Sequence, residues 1–297
     1  MILGKGTNVA VKKYSDIYIE TRKKLKEAGI SSYALETRLI VAAAAGKTQE
    51  QFVRDMNLYV NEGFEAKVSE MSERRLKGEP VAYISGEWEF YGLPMVVNSE
   101  VLIPRSDTEV LAEKAIELLK GREASTRVLD LCCGSGCIGA AIAANVRDCR
   151  VILADISLAA LRVCRQNVNR NNLNRNITCV EADALKKPPV LIGRFDMIVC
   201  NPPYIPTSDL EKLDTSVRDY EPLLALDGGA DGLDFYRSVA SHWKAVLKDR
   251  GCLMFETGFD QAEKVSRIME ENGFEGVHIF NDTSGIPRVA AGVYIDD

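Results

Sequence analysis

From residue 127 onward, short apolar runs alternate with helical stretches, and this alternation restricts the fold more strongly than any other feature of the chain. The apolar runs lie at 127–131, 150–156, 177–183, 195–200 and 251–258. Apolar strands that alternate with helices are typical of a parallel sheet covered by helices on both faces. Two further runs, at 276–282 and 289–295, are separated by only a short loop, so we expect them to pair antiparallel. The pattern therefore predicts an α/β fold with a Rossmann-like, seven-stranded sheet.

The first part of the chain has a different, helical pattern. Gly46 ends one apolar helical stretch, and Thr48 and Gln51 then fit a capping box that starts the next helix. A β-hairpin around Tyr91 and Gly92 separates this part from the alternating region. The sequence predicts a small helical bundle domain for substrate recognition at 1–83, a hairpin linker at 84–100 and the main domain at 101–297.

Composition narrows the class of protein. No apolar run approaches the roughly 20 residues that span a membrane, and the N-terminus lacks the apolar segment of a secretion signal, so we expect a cytoplasmic protein without a membrane partner. The eight cysteines form no C-x-x-C pair and only two histidines are present, which argues against a metal site. Residues 1–80 hold 14 Lys and Arg against 11 Asp and Glu, and the remainder holds 23 against 32. This charge does not favour a broad nucleic-acid surface.

A glycine-rich turn follows the first strand of the alternating region. Gly134, Gly136 and Gly139 satisfy the pattern G-x-G-x-x-G, and Asp155 ends the next strand 21 residues after Gly134. This spacing is typical of dinucleotide binding, in which the glycines permit close backbone approach and the acid binds ribose hydroxyls. A nicotinamide-dependent dehydrogenase is therefore one interpretation.

Two further acids favour a different cofactor. Asp130, four residues before Gly134, is expected in the loop, where it would repel a pyrophosphate and suit a cationic sulfonium or ammonium group. Asp183 ends the third strand and could bind an adenine amino group. Together with Asp155, these acids predict a pocket for S-adenosyl-L-methionine. The glycine turn would form its floor, with Cys132, Cys133, Gly134, Ser135 and Gly136.

The fourth strand ends abruptly in Asn201-Pro202-Pro203-Tyr204. An amide nitrogen is a poor nucleophile, and to attack a sulfonium methyl its lone pair must point along the S–CH₃ axis. The Asn201 side-chain oxygen and the Pro202 carbonyl, held rigidly by the prolines, could accept both N–H bonds and aim that lone pair. Tyr204 offers a ring face to the planar amide. The tetrapeptide therefore predicts the catalytic centre of a nitrogen methyltransferase.

With these motifs in place, the chain resembles the class I methyltransferases, and within them the HemK/PrmC-type peptide chain release factor glutamine methyltransferases. The resemblance extends over the helical N-terminus, GEWEFYGLPMVVNSEVLIPRSDTE, NPPYI, RDYEPLLALDGGADGLDFYR and GIPRVAAG. It implies the class I sheet and, as substrate, the glutamine of the Gly-Gly-Gln motif in a translation release factor, bound partly by Phe90. Alternatively, Phe90 belongs to the core of the β-hairpin and does not contact the substrate. The chain departs from the family at Cys132, where glycine is frequent, and at Ala184, where some relatives place an aromatic residue against the adenine.

Two alternative functions remain open from the sequence. A nucleic-acid amino-group methyltransferase, acting on adenine N6 or guanine N2, would use the same tetrapeptide, although the charge does not favour it. The dehydrogenase is the more distant alternative. We expect a monomer whose partner is a release factor, with no direct binding of nucleic acid.

Overall fold

The computed structural model describes residues 12–120 and 125–296. The chain divides into two compact units between Gly86 and Glu87. This division lies three residues after the predicted end of the helical domain, and the hairpin groups with the second unit. Within the described ranges, no helix combines the length and the apolar character needed to cross a membrane.

The first unit is helical. Thr48 and Gln51 form the predicted capping box, since each side-chain oxygen accepts the backbone N–H of the other residue, at 3.2 and 3.0 Å. Gly46 ends the preceding helix with a φ of 62°, a left-handed conformation that glycine adopts easily. The core of the unit includes Ile17 and Ile40. Its helices are α1 (Tyr14–Glu27), α2 (Tyr33–Ala45), α3 (Gln49–Asp55), α4 (Phe64–Leu76) and α5 (Val81–Ser85).

The second unit begins with the hairpin of β1 (Glu87–Phe90) and β2 (Leu93–Val96) and continues into the alternating region. The other strands are β3 (Thr126–Leu131), β4 (Cys149–Asp155), β5 (Ile177–Glu181), β6 (Phe195–Cys200), β7 (Leu247–Glu256), β8 (Phe274–Asn281) and β9 (Pro287–Tyr294). The helices are α6 (Glu109–Leu119), α7 (Cys137–Asn145), α8 (Leu158–Arg170), α9 (Thr215–Arg218), α10 (Asp234–His242) and α11 (Ala262–Glu271).

The seven strands from β3 to β9 form one sheet in the order β5-β4-β3-β6-β7-β9-β8, which confirms the predicted α/β fold. The first five are mutually parallel, and β9 runs antiparallel to both β7 and β8. The sequence predicted the antiparallel pairing of β8 with β9, and the structure adds that of β7 with β9. The strand order reverses at β3, because the chain continues to β4 on one side and later returns to β6 on the other. Such a switch point leaves a crevice at the carboxyl ends of the strands, where ligands bind in open α/β sheets.

The register determines which residues meet at that edge. Leu131 of β3 pairs with Cys200 of β6, and Cys200 pairs with Phe255 of β7. The residues that follow them, Cys132, Asn201 and Glu256, therefore come to the same edge. Large buried side chains hold the strands beneath this edge, among them Phe195, Tyr236, Trp243 and Phe255.

Candidate active site

The carboxyl ends of the strands border a cavity of about 690 Å³, a size typical of small-molecule sites. It belongs entirely to the second unit. Most of the residues that the sequence assigned to a site line it: Cys132, Cys133, Gly134, Ser135, Asp155, Asp183, Ala184, Asn201, Pro202, Pro203 and Tyr204. Asp130, Gly136 and Phe90 do not belong to the cavity wall.

The two glycines of the turn between β3 and α7 have different tasks. Gly136 has a φ of 78°, and a Cβ there would lie 2.9 Å from Cys164 Sγ and from Leu153 Cδ1. Glycine is therefore required at residue 136 for packing against β4 and α8. At Gly134, with a φ of 52°, a Cβ would meet no atom within 4 Å. The backbone at Gly134 is thus open to the cavity, and a ligand can approach it closely.

Cys132 adopts a backbone conformation that usually belongs to glycine. Its φ is 61°, in the left-handed region, which costs a residue with a Cβ roughly 1–2 kcal/mol. The turn therefore keeps the shape that a glycine would give it. The side chain of Cys132 takes part in the cavity wall, so a cysteine here adds a thiol to the surface of the site.

Asp155 ends β4 and organises the turn. Its Oδ2 accepts the backbone N–H of Gly134 at 2.8 Å, and its Oδ1 accepts the N–H of Ser157 at 2.8 Å. Burial raises the pKa of the carboxyl, while these N–H donors act in the opposite direction. Each carboxylate oxygen can accept more than one hydrogen bond. Asp155 can therefore hold the turn and also accept hydroxyl groups of a ligand in the cavity.

Asp183 and Ala184 follow β5 and form the next part of the wall. Asp183 Oδ1 accepts the N–H of Leu185 at 2.9 Å, and Oδ2 lies 3.1 Å from Lys186 Nζ, so the carboxylate is already partly paired. The carbonyl of Ala184 accepts hydrogen bonds from Ser238 Oγ at 2.8 Å and Trp243 Nε1 at 3.2 Å. This part of the backbone is fixed, and the small Ala184 side chain leaves room in the cavity.

Asp130 lies elsewhere than predicted. It is within β3, fully buried, and its Oδ2 accepts the N–H of Gly139 at 2.8 Å. Burial raises the pKa of this carboxyl to about 7, and its Oδ1 has no hydrogen-bond partner among the described residues. The prediction that Asp130 sits in the loop is wrong because β3 continues through Leu131, which directs the carboxylate to the first turn of α7. Gly139 is required there, since a Cβ would lie 2.2 Å from Leu153 Cδ2.

Asn201 and Pro202 present two hydrogen-bond acceptors at the cavity. Asn201 Nδ2 donates to Thr108 Oγ1 over a long distance of 3.4 Å. Within residues 12–120 and 125–296, no hydrogen bond occupies Asn201 Oδ1 or the Pro202 carbonyl. Both residues line the cavity, and Pro202 and Pro203 are buried. The arrangement can bind a group that carries two N–H donors.

The tetrapeptide is held from the far side by a glycine-rich segment. A Cβ at Gly228 would lie 2.7 Å from Tyr204 Cα, and a Cβ at Gly232 would lie 2.3 Å from the Tyr204 carbonyl oxygen. Gln261 Nε2 donates to that same carbonyl at 2.9 Å. Burial raises the pKa of Tyr204 to about 12, so its phenol stays protonated at neutral pH. These contacts fix the backbone of Tyr204 within the second unit.

Two further features contribute to the site but were not predicted from the sequence. Glu256, at the end of β7, lines the cavity beside Asn201 and is only 3% exposed. Arg105 pairs with the buried Glu221, whose Oε2 also accepts the N–H of Ile103 at 3.2 Å, and so ties the segment after α9 to the cavity wall. An acid that ends a parallel strand at the binding edge is a signal that could have pointed to Glu256.

Phe90 is not brought to this cavity. Its side chain is 1% exposed and belongs to the buried part of the hairpin, so the hairpin-core alternative accounts for it. Among the described residues, no group of three or more His, Cys, Asp and Glu side chains is arranged to hold a metal ion.

Comparison with known proteins decides the family. Residues 107–216 match the family described as "Methyltransferase small domain", and residues 16–86 match the "PrmC N-terminal domain". A release factor glutamine methyltransferase of Geobacter sulfurreducens is 40% identical over 272 residues, which are 92% of this chain and 93% of that protein. The chain belongs to the release factor glutamine methyltransferase family. Its glycine turn is therefore that of a methyltransferase, and the dehydrogenase alternative is wrong.

Other relatives agree with this assignment. A release factor glutamine methyltransferase of Clostridium acetobutylicum is 36% identical over 281 residues, or 95% of this chain and 98% of that protein. A crystal structure of a methyltransferase from Pyrococcus furiosus has a TM-score of 0.52 at 18% identity, covering 77% of this chain and 100% of the other. The likeness to that structure concerns the fold alone.

Proposed function

We propose that this chain transfers a methyl group from S-adenosylmethionine to the side-chain amide nitrogen of the glutamine in the Gly-Gly-Gln motif of a translation release factor. The observation that carries the proposal is the pair of acceptors at Asn201 and Pro202 beside the glycine turn. The curated relatives that cover almost the whole chain bear the name of this activity.

The residues present fit the cofactor. The open backbone at Gly134 suits the methionine part, and Asp155 stands where ribose hydroxyls can donate to its carboxylate. Asp183 and Ala184 lie farther along the same wall, where an adenine ring would fit against the small side chain. When bound, S-adenosylmethionine supplies a methyl group activated by the positive charge on sulfur.

The protein's own contribution to the reaction is orientation. Asn201 Oδ1 and the Pro202 carbonyl each accept one N–H of the substrate amide, so both N–H bonds point away from the cofactor side. The nitrogen lone pair is then directed toward the methyl group. Because both acceptors are fixed before the substrate binds, little reorganisation accompanies the reaction. Tyr204 packs its ring against the planar amide and limits its rotation.

The helical domain, residues 1–83, is proposed to recognise the protein substrate. Residues 16–86 match the N-terminal domain of the family, and the described residues that line the cavity all lie at Glu100 or beyond it. A chain that begins at residue 87 should bind S-adenosylmethionine with normal affinity but methylate the release factor poorly. Equal methylation by the shortened and full-length chains would remove this role.

The surroundings of the enzyme follow from its substrate. Release factors act in translation, so we place the enzyme in the cytoplasm, as a monomer that binds the factor directly. No role is assigned to nucleic acid, because the charge of residues 81–297 is negative, with 23 Lys and Arg against 32 Asp and Glu.

The decisive experiment uses isotopically labelled S-adenosylmethionine and purified release factor. The labelled factor is digested, and peptide masses locate the methyl group. We expect a single methyl on the glutamine of the Gly-Gly-Gln motif and none on a factor in which that glutamine is replaced by glutamate. Parallel reactions contain transfer RNA or adenine-rich DNA in place of the factor. Label that enters nucleic acid instead of the factor would favour the alternative methyltransferase and refute the proposal.

A further inference from the structure

Glu256 is a buried acid that has no role in the reaction as described above. It is the last residue of β7 and is only 3% exposed, yet it lines the cavity beside Asn201. One carboxylate oxygen, Oε2, has no hydrogen-bond partner among the described residues. A buried carboxylate without full pairing is destabilising, so its presence calls for an explanation.

The neighbours of Glu256 connect it to the catalytic tetrapeptide. Asn201 Nδ2 donates to Thr108 Oγ1 at 3.4 Å, and Thr108 is 2% exposed. The side chains of Thr108 and Asn201 both lie close enough to the Glu256 carboxyl to lower its pKa, the direction in which a hydrogen-bond donor acts. The three side chains therefore form one polar group on the inner side of the cavity wall.

The chemistry of this group restricts the orientation of the Asn201 amide. An asparagine amide has an NH₂ end that donates and an oxygen end that accepts, and the two ends are almost equal in shape. An ionised carboxylate only accepts hydrogen bonds. The end of Asn201 that faces Thr108 and Glu256 must therefore be the NH₂ end. As a consequence, Oδ1 is turned toward the cavity, where the substrate amide needs an acceptor.

We propose that Glu256 is a positioning residue which, together with Thr108, holds the Asn201 amide with Nδ2 inward and Oδ1 toward the substrate. The proposal rests on the proposed function, since it concerns the oxygen that accepts the N–H of the substrate glutamine. Glu256 itself does not touch the reacting atoms. Its effect on the reaction passes through Asn201.

This role makes turnover depend on pH. Burial raises the pKa of Glu256 to about 7, whereas the Thr108 donor and the charge of Arg288 lower it and Asp107 raises it. Asp107 and Arg288 form an ion pair of 2.8 Å, so their effects largely cancel. The other titratable groups that face Glu256 are Tyr204, Tyr236 and Cys137. Burial raises the pKa values of all three, so they stay protonated near neutral pH.

The direction of the pH dependence follows from the carboxyl group. Above about pH 7 the carboxylate is charged and fixes the amide in the productive orientation. Below this pH it is protonated and can itself donate, so the amide is free to turn its NH₂ end toward the cavity. We therefore expect kcat of the wild type to fall as the pH is lowered from 8 to 6.

The test compares Glu256→Gln and Thr108→Val with the wild type in single-turnover methylation of purified release factor. Glu256→Gln should lower kcat about tenfold at pH 8, since an acceptor with a full charge is replaced by a neutral one. It should also remove the change in kcat between pH 6 and 8. KM for the release factor and Kd for S-adenosylmethionine should stay within about twofold. Thr108→Val should lower kcat in the same way.

The matched control is Thr257→Val. Thr257 is as deeply buried as Thr108 and follows Glu256 in sequence, but it does not line the cavity, and its Oγ1 has no partner among the described residues. It should keep the wild-type kcat and pH profile. A loss equal to that of Thr108→Val would show a general effect of removing a buried hydroxyl here and would overturn the proposal.

The double variants decide whether Glu256 acts through Asn201. In the Asn201→Ala background there is no amide to orient, so Glu256→Gln and Thr108→Val should each change kcat less than twofold. A full tenfold further loss would mean that Glu256 acts independently and would overturn the proposal, as would a pH step that persists in Glu256→Gln. If the wild type itself does not methylate release factor, the proposed function fails. That result differs from a failure of the inference, in which the wild type methylates release factor but the variants do not show the expected changes in kcat.

Discussion

The tetrapeptide can be displaced by one methyl group placed outside the cavity, at Gly228. A Cβ at this residue would lie 2.7 Å from Tyr204 Cα and 2.9 Å from both the Pro203 carbonyl oxygen and the Tyr204 carbonyl carbon. All three atoms belong to the backbone, so no side-chain rotation relieves the contact. Gly228 itself does not line the cavity. Gly228→Ala should therefore move the backbone of Pro203 and Tyr204 without touching a ligand.

The size of the effect follows from these distances. Carbon atoms in contact prefer separations of about 3.5–4.0 Å, so the backbone of Pro203 and Tyr204 must shift by roughly 1 Å. A misplacement of this order at a catalytic group can lower the rate about a hundredfold. We expect kcat of Gly228→Ala to fall by roughly 10²-fold. Kd for S-adenosylmethionine should stay within about twofold, because Gly134 and Asp155 lie on other strand ends.

The assay is single-turnover methylation of release factor, with cofactor binding followed by calorimetry on the same preparation. Gly276→Ala is the matched control. Its φ of 57° makes an alanine unfavourable, but a Cβ there would meet no atom within 4 Å. It should lose about 1 kcal/mol of stability and keep its kcat. If Gly228→Ala turns over normally per folded molecule, the glycine segment does not position the tetrapeptide and the reasoning is refuted.

Three further variants test individual side chains. Asn201→Ala should lower the single-turnover rate by a factor of roughly 10²–10³ and leave the cofactor affinity nearly normal. A variant that melts early but turns over normally would contradict the catalytic role. Asp155→Ala should weaken calorimetric binding of S-adenosylmethionine by about 1.5–3 kcal/mol, or ten- to a hundredfold, and unchanged affinity would remove the ribose role. Asp130→Asn should be more stable than the wild type at pH 8 by about 1–3 kcal/mol but not at pH 4. The pKa of Asp130 is about 7 in the folded state, above its ordinary value, so between about pH 4 and 7 the unfolded state has lost this proton while the folded state keeps it. The free energy of unfolding of the wild type therefore falls as the pH rises from 4 to 7. Equal urea midpoints for Asp130→Asn and the wild type at pH 8 would contradict this prediction.

The sheet was predictable because its signal is local. Each strand of the alternating region is a short apolar run, and the helices between them require parallel pairing. Asp155 and Asp183 were placed correctly at the cavity because both acids lie at the carboxyl ends of such runs. Asp130 was placed wrongly, in the loop, because an apolar run does not fix the residue at which a strand ends. The strand extends past Asp130, and the left-handed turn begins only at Cys132, a residue type that gives no sign of such a conformation.

The supporting contacts of the site could not be predicted in the same way. Gln261 reaches the carbonyl of Tyr204 across 57 residues of sequence. Glu221 pairs with Arg105 across 116 residues. No local pattern connects the members of such pairs, because they become neighbours only when strands distant in sequence are placed side by side. The glycines of the segment 228–232 give no local sign of the contact that requires them, since the approach to Tyr204 depends on the tertiary fold.

In the proposed mechanism, the two prolines make this tetrapeptide suitable for an amide substrate. A buried backbone segment must pair its N–H groups as well as its carbonyls. Pro202 and Pro203 have no N–H, so this buried segment offers acceptors and adds no donors of its own at these positions. A glycine or serine loop at the same place would present N–H groups that compete for the acceptors or repel the N–H bonds of an incoming amide. In the proposed mechanism the Asn201 oxygen and the Pro202 carbonyl therefore form a surface for a donor with two N–H bonds, a property that the primary amide of a glutamine has.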